Sequence, residues 1–373
     1  MKINTITCHN VYNYGASLQA FALSDYLSKL GHDVKIIDYM PNYIRRNLGL
    51  WAIGKKWDKN LFYRFAFYCY VVPIRLLQKR TRKKYHSYNK KFLKLTRRYN
   101  SFDELVADPP IADVYFCGSD QIWNPQIENG LDPAFYIDFA PTSTIRASYA
   151  ASFSVSKLND EYKSFIKEEL QKMDFISVRE KTGVEIINDL GIEKKAINVM
   201  DPVFLIEPEQ WKSMTYVPKY TNYILVYDQE NSKAIREIAL YMSRRMNKKI
   251  IAFKDLYPRH YADVQIKYAG PIDFISLIAN ADLVITNSFH CSSFSILFEK
   301  EFFVIPRTHQ KVNSRMSDLL QRLNIKGHMF SDIESLKDAA PIDYTRVKKL
   351  LELPKNISKE YIKEVLNSFK KMK

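Results

Sequence analysis

Two short apolar segments, far apart in the chain, each run into a small-residue loop that opens onto a helix-patterned stretch. In the first, Ile3 to Thr7 leads into HNVYNYGAS (His9 to Ser17) and then Leu18 to Leu30; in the second, Leu283 to Ile285 leads into TNSFHCSS (Thr286 to Ser293) and then Phe294 to Phe298. A strand, a loop and a helix in that order is half of a β-α-β unit, so each half of the chain is expected to build on a parallel sheet. The start of such a helix gathers unpaired backbone N–H groups and about half a positive charge, which makes an anion its natural ligand.

At 373 residues the chain is too long for one ordinary core and suits two domains of roughly 150 to 200 residues. Strands are expected at Ile3 to Thr7, Asp33 to Asp38, Asp113 to Cys117, Ala147 to Phe153, Phe175 to Val178 and Ile197 to Met200, with helices at Ser17 to Leu30 and Leu158 to Met173. From Asp201 to Lys219, Pro202, Pro208 and Pro218 interrupt regular structure and suggest a linker. The plan then repeats: strands Tyr223 to Tyr227, Lys249 to Phe253, Leu283 to Ile285 and Phe302 to Ile305, with helices Ser232 to Arg245, Ile272 to Asn280 and Ser292 to Phe298. Helical segments follow near Asn313 to Leu323, Asp343 to Leu351 and Ser358 to Lys371. The expected organisation is an N-terminal α/β domain over residues 1–200, a C-terminal α/β domain over 201–345 that carries the second helix-opening loop, and terminal helices over 346–373. Two such domains would face each other across a cleft, with ligand at the carboxyl ends of the strands.

The net charge of +15 is concentrated in one segment. Between Pro41 and Asn100 there are 17 Lys or Arg and one acid, Asp58, while the rest of the chain holds 39 basic and 40 acidic residues. The same segment is rich in Phe and Tyr, so residues 41–100 read as a basic, aromatic helical insertion in the first domain. Three roles compete for it. Arg64, Pro73 and Arg75 break the run too soon for a membrane-spanning helix, but clustered cations with interfacial aromatics suit an anionic membrane surface. The aromatics could instead pack inward. Single-stranded nucleic acid is the third and weakest reading, because no nucleic-acid motif accompanies the charge.

The N-terminus runs straight into a strand without the apolar stretch of a secretory signal, so a cytoplasmic location is expected. Cys8, Cys69, Cys117 and Cys291 have neither CxxC spacing nor a zinc pattern with the histidines, which argues for small buried residues and no metal. No nucleotide-binding signature, GxGxxG or GxxxxGK[ST], is present.

Seven stretches together resemble the bacterial polysaccharide pyruvyl transferases: His9 to Leu23, Ile36 to Pro41, GSDQIWNP (Gly118 to Pro125), SVRE (Ser177 to Glu180), Met200 to Pro202, TNSFH (Thr286 to His290) and Asn313 to Arg315. The resemblance spans about residues 1 to 325. It implies a glycosyltransferase-B-like fold of two Rossmann-like domains, and transfer of the pyruvyl skeleton of phosphoenolpyruvate onto a sugar as a ketal, with release of phosphate and no cofactor. The acceptor expected from it is a sugar of a surface-polysaccharide precursor, carried on a polyprenyl diphosphate. In one place the chain departs from the family pattern: Cys291 stands where a glycine usually follows the histidine.

The residue chemistry is compatible with such a donor. Phosphoenolpyruvate carries a carboxylate and a phosphate, and arginine offers planar, permanently charged donors for both. Arg179, at the end of a strand, either faces the cleft or is ion-paired with Glu180 or Glu185; Arg307 and Arg315 follow the last strand, and Ser288 and Ser292 flank the helix start. These five are the expected donor-binding residues. Ketal formation requires a general acid and a general base, each typically worth about 100 to 10,000-fold. His290 is the candidate acid or phosphate ligand, with a structural role as its alternative, and Asp120 the candidate base, with a turn cap as its alternative. On the acceptor side, Asn13, Tyr14 and Gly15 form the opposing loop, and Trp123 either stacks on a sugar ring or packs between domains. Two other functions are carried alongside: a nucleotide-sugar glycosyltransferase of similar fold, and a non-catalytic protein of polysaccharide assembly.

Overall fold

Strands without a polar face need cover on both sides, and that requirement organises both halves of this protein. A computed structural model describes residues 1–48, 51, 53, 57–254, 258–308, 313–336 and 339–372. Strands β1 (Lys2–Ile6), β2 (Asp33–Tyr39), β3 (Leu95–Tyr99), β4 (Val114–Cys117) and β5 (Ile145–Ser148) form a parallel sheet in the order β3-β2-β1-β4-β5. A short parallel pair, β6 (Ile176–Val178) and β7 (Ala196–Asn198), joins its edge through bridges Ala147 to Phe175 and Ala151 to Val178. The second sheet comprises β8 (Tyr223–Tyr227), β9 (Lys249–Phe253), β10 (Val264–Ile266), β11 (Leu283–Thr286) and β12 (Phe302–Val304), in the order β10-β9-β8-β11-β12. Both sheets therefore start in the middle, grow to one side and jump back across the first strand. That reversal opens a crevice at the carboxyl ends of β1 and β4, and again at those of β8 and β11. Every residue of β4 and of β8 is buried, as expected for central strands.

The two halves share one hydrophobic core. Its residues include Tyr14, Leu18 and Phe21 from the helix Tyr14–Lys29, together with Phe274 and Phe294 from the second half. Trp211 is fully buried at their junction, with Phe21 edge-on at 5.6 Å and Phe294 edge-on at 5.0 Å. The segment expected to be a linker is thus packed structure. Pro202 and Pro208 sit in the first turns of a 3-10 turn (Pro202–Leu205) and a helix (Pro208–Ser213), where a missing N–H costs nothing. The apolar residues between the prolines, Val203 to Ile206, are all buried.

The chain ends in one continuous helix, Tyr344–Met372, rather than two, with Pro354 inside it. Val347 and Leu351 pack on the second half, whereas Tyr361, Ile362, Val365, Leu366 and Phe369 pack against Ile3, Leu23 and Val34 of the first. Ser358 ties the crossing point down, accepting from the Met200 N–H at 2.9 Å and donating to the Pro354 carbonyl at 2.7 Å. Strands β3 and β10 are the strands that periodicity did not reveal, and the short helices Phe102–Ala107 and Lys181–Asp189 also lie outside the expected elements. Both strands are edges, with Arg97 and Arg98 exposed on β3 and only three half-buried residues in β10.

The basic segment divides into two different surfaces. Helix Lys79–Phe92 packs inward: Tyr85 and Tyr88 are buried, Tyr85 stacks on Tyr14 with centroids 5.7 Å apart, and Lys84 pairs with Asp273 of the second half at 2.8 Å. Helix Leu61–Leu77 does the opposite. Phe67 and Val72 are buried, while Leu61, Phe62, Phe65, Tyr70 and Leu77 are between 65% and 82% exposed.

Candidate active site

The two loops that stand out in the sequence meet. Asn13 caps the helix Tyr14–Lys29, its side chain accepting from the Ala16 N–H at 3.2 Å; Ser288 caps the helix Phe289–Leu297, accepting from the Cys291 N–H at 3.5 Å. Between these helix starts, a Cβ added at Gly15 would lie 2.1 Å from Nδ1 and 2.3 Å from Cγ of His290. Glycine is needed there for space. The imidazole of one half rests on the bare backbone of the other.

A third wall comes from the carboxyl ends of β4 and β6. Gly118 and Ser119 are joined by a cis peptide, Asp120 has a left-handed φ of 73°, and Arg179 and Glu180 follow β6. The buried Asp201 carboxylate collects them: its Oδ2 lies 2.8 Å from Arg179 Nη1 and 3.5 Å from His290 Nε2, and accepts from Ser119 Oγ at 3.0 Å. Its Oδ1 accepts from the Val203 N–H at 3.2 Å. Burial alone would raise the Asp201 pKa, but His290 and then Arg179, each through charge and hydrogen bonding, hold it well below the usual carboxylate range.

Arg179 is almost fully neutralised. Beyond Asp201, its Nη2 lies 3.4 Å from Asp120 and its Nε 4.0 Å from Glu180, and its guanidinium sits 4.6 Å from the centroid of the Phe289 ring. Arg315, in the first turn of the helix Ser314–Arg322, lies 6.0 Å from the centroid of the same Phe289 ring and is only 6% exposed. With the Gln121 amide oxygen turned toward it, that oxygen accepts from Nη2 at 2.8 Å and Nη1 at 3.1 Å, while Nε is buried without a hydrogen-bond partner. Burial first, and the charge of Arg179 second, push Arg315 down to about 9, so it remains a cation at neutral pH. A desolvated guanidinium whose close partner is a neutral amide has the chemistry to pair with an anion.

The remaining expected residues are placed as follows. Arg307, after β12, donates from Nε to the Asn287 carbonyl at 3.2 Å, and burial lowers its pKa. The Ser292 hydroxyl is fully buried and donates to the Ser288 carbonyl at 3.2 Å, so it shapes the loop. Tyr14 is buried between Tyr85 and Phe274, the latter stacked at 4.8 Å, and Asn13 stays at the exposed rim. Trp123, expected either to stack on a sugar ring or to pack between domains, is fully buried within the first domain. It stacks on Tyr136 at 5.5 Å, packs on Phe153 at 5.4 Å and donates its indole N–H to the Phe135 carbonyl, with no exposed surface left for a ligand. Cys291 turns into the core with Phe294 and Val284, and burial pushes its thiol up to about 12. A side chain after His290 therefore does not enter the cleft. Asp201 is the site residue that sequence reasoning missed: the Met200-Asp201-Pro202 stretch was noticed, but its prolines drew it into the supposed linker. Among the described residues, no group of three or more His, Cys, Asp or Glu is placed to hold a metal ion.

The contact between the two loops makes a sharp prediction. Gly15→Ala should destabilise the protein by about 1–3 kcal/mol through overpacking, and His290→Gly, which removes the three atoms nearest the new methyl, should recover most of that loss in the double variant. Urea unfolding of the two single variants and the double variant tests it; additive losses would show that the imidazole does not rest on Gly15.

A model of the polysaccharide pyruvyl transferase family matches residues 13–309. No curated protein matches significantly. Among solved structures, a protein from Listeria monocytogenes described as a UDP-N-acetylglucosamine 2-epimerase superposes with a TM-score of 0.55 at 11% identity, covering 95% of this chain and 90% of that one. A glycosyltransferase involved in avilamycin A biosynthesis superposes with a TM-score of 0.51 at 11% identity, covering 99% and 98%. At such identity these structures speak for the fold, two Rossmann-like domains in the glycosyltransferase-B arrangement. The family match covers most of the chain and takes in both facing loops apart from the first residues of the N-terminal one, together with Asp120, Arg179 and Asp201: this protein belongs to the polysaccharide pyruvyl transferase family.

Proposed function

We propose that the protein transfers the pyruvyl group of phosphoenolpyruvate to two hydroxyls of one sugar, forming a ketal and releasing phosphate. Protonation of the donor's methylene carbon makes C2 electrophilic, and the first sugar oxygen adds there and loses its proton. The C2–O bond to phosphate then breaks as the second sugar oxygen closes the ring and gives up its own proton. The observation that carries this reading is Arg315, a buried cation whose Nε lacks a partner, sharing the Phe289 ring with Arg179 next to His290. Arg315 would take the donor's charge, with Arg307 and the helix start at Ser288 beside it. His290, its Nε2 3.5 Å from Asp201, would pass a proton to the leaving phosphate or hold it, and Asp120 would accept a hydroxyl proton.

In this reading the acceptor is a sugar on a polyprenyl diphosphate, and the enzyme works at a membrane surface. Support comes from the helix Leu61–Leu77, which exposes Leu61, Phe62, Phe65, Tyr70 and Leu77 within the segment that carries the chain's whole charge excess. Among the described residues no helix is long and apolar enough to cross a membrane, so contact would be made from one side.

Two experiments test these statements. Phosphoenolpyruvate should raise the thermal midpoint saturably, sugar nucleotides should not, and Arg315→Ala should abolish the shift; stabilisation by a sugar nucleotide alone would replace this reading with a glycosyltransferase. Vesicles of phosphatidylcholine containing phosphatidylglycerol should sediment the protein, and Phe62→Ser with Phe65→Ser should release it. Equal sedimentation of the variant would remove the aromatic face from the account.

A further inference from the structure

We propose that a groove of about 840 Å³ between the basic helix Lys79–Phe92 and the second domain holds an anionic phospholipid of the membrane, its phosphate on the helix cations and an acyl chain along the groove floor. The transfer reaction is not needed for this site. It extends the membrane contact of the helix Leu61–Leu77 from an exposed face to a defined place for one lipid. The two walls come from opposite halves of the chain. Arg80, Lys83, Lys84, Ser87, Tyr88 and Lys91 recur at i, i+3, i+4, i+7, i+8 and i+11, so one wall is a single face of the basic helix. Met214 with Tyr216, and Gly270 to Asp273, form the other.

Charge and apolar surface lie side by side in the groove. Among the described residues that line it, Asp273 is the sole acid, and the protein already satisfies it: Lys84 Nζ lies at 2.8 Å, and the Tyr216 hydroxyl and the Gly270 N–H each donate at 2.6 Å. Arg80, Lys83 and Lys91 are exposed and, among the described residues, have no carboxylate partner. Arg80 sits 5.4 Å from the centroid of the Tyr268 ring, and Lys91 5.1 Å from that of Phe92, so aromatic faces hold two of the three cations at the groove. The floor beneath them is apolar, with Tyr88 and Pro271 buried and Phe92, Met214 and Ile272 half-buried. An inorganic anion would meet the cations and leave this floor in water. A phosphate joined to a hydrocarbon chain covers both.

Position in the chain selects a membrane lipid over an acidic protein partner. Leu76 and Leu77, 49% and 69% exposed, end the aromatic helix, and Arg80, the first cation of the groove, comes three residues after Leu77. The apolar surface that would enter a lipid layer is thus followed within one helical turn by the cations that would meet its phosphates. Since the walls belong to different domains, a lipid in the groove bridges them. It does so beside their close approach at Gly270, where an added Cβ would lie 2.8 Å from Lys84 Cβ. Attachment to the membrane and the spacing of the two domains then depend on one contact.

Calorimetric titration of the full chain with dihexanoyl phosphatidylglycerol, below its micelle-forming concentration, tests the site. Dihexanoyl phosphatidylcholine, inorganic phosphate and a polyglutamate peptide serve as controls. The phosphatidylglycerol should bind saturably and about tenfold or more tighter than any control. Lys83→Gln with Lys91→Gln should weaken it about tenfold or more. Ser87→Trp, which fills the groove from its exposed helical wall and leaves every cation in place, should abolish it. Both variants should keep the thermal midpoint of the unliganded protein. Undiminished binding in either variant, or inorganic phosphate that binds as tightly as the lipid, would overturn the proposal; tighter binding of the peptide would give the groove to a protein partner instead. Phe62→Ser with Phe65→Ser should leave binding of the short-chain lipid intact, and its loss there would place the lipid on the exposed helix and refute the groove. If that variant still sediments with vesicles while the short-chain lipid binds as expected, the aromatic face falls and the groove stands. Failure of phosphoenolpyruvate to bind would likewise sink the transfer reaction alone.

Discussion

A buried carboxylate cannot be left alone, and the arrangement of this cleft follows from how Asp201 is satisfied. It receives Arg179 and Ser119 from the first sheet and His290 from the second, and it sits where the chain passes between them. Removing one partner of a buried ion pair typically costs about 3–5 kcal/mol, because the remaining charge stays desolvated. The domains are therefore held at one spacing by polar contacts as well as by the apolar junction around Trp211. That spacing brings His290 onto Gly15 and leaves no room for a side chain between them.

Charge accounting in the same region separates two arginines that sequence treats alike. Arg179 faces Asp201, Asp120 and Glu180, which together more than offset the cost of its burial and raise its pKa. For Arg315, burial and the repulsion of Arg179 outweigh the attraction of Glu180 and Asp120, and its pKa falls. The first is suited to fix geometry, including the aim of Asp120 and the orientation of His290 through Asp201. The second is suited to bind, since a donor anion would restore the balance that burial upset.

How much of this was legible in the sequence varies with the physics of each element. Central strands such as β4 and β8 announce themselves as uninterrupted apolar runs, and the facing loops were marked by their small residues and helix starts. Edge strands β3 and β10 were not, because half-exposed strands with arginines or only three residues carry no apolar signature. Prolines misled in both directions: Pro202 and Pro208 begin helical turns, and Pro354 lies within a helix whose register is carried through by apolar packing on both domains. Within the cleft, His290, Asp120, Arg179 and Arg315, which residue type and loop position single out, lie close together. Asp201 was passed over because its importance lies in three partners distant in sequence, and Trp123 was overvalued because an aromatic in a polar motif looks available until its neighbours Tyr136 and Phe135 are known.

The central claim is that the donor's negative charge is received by Arg315 next to His290. A crystal structure of the protein soaked with phosphoenolpyruvate tests it most directly. The account predicts the phosphate or carboxylate within hydrogen-bond distance of the Arg315 guanidinium, with the donor's enol carbon on the His290 side of Phe289 and Arg179 still bound to Asp201. A donor bound away from Arg315, or an Arg179 that leaves Asp201 to take it, would contradict the division of labour between the two arginines on which the account is built.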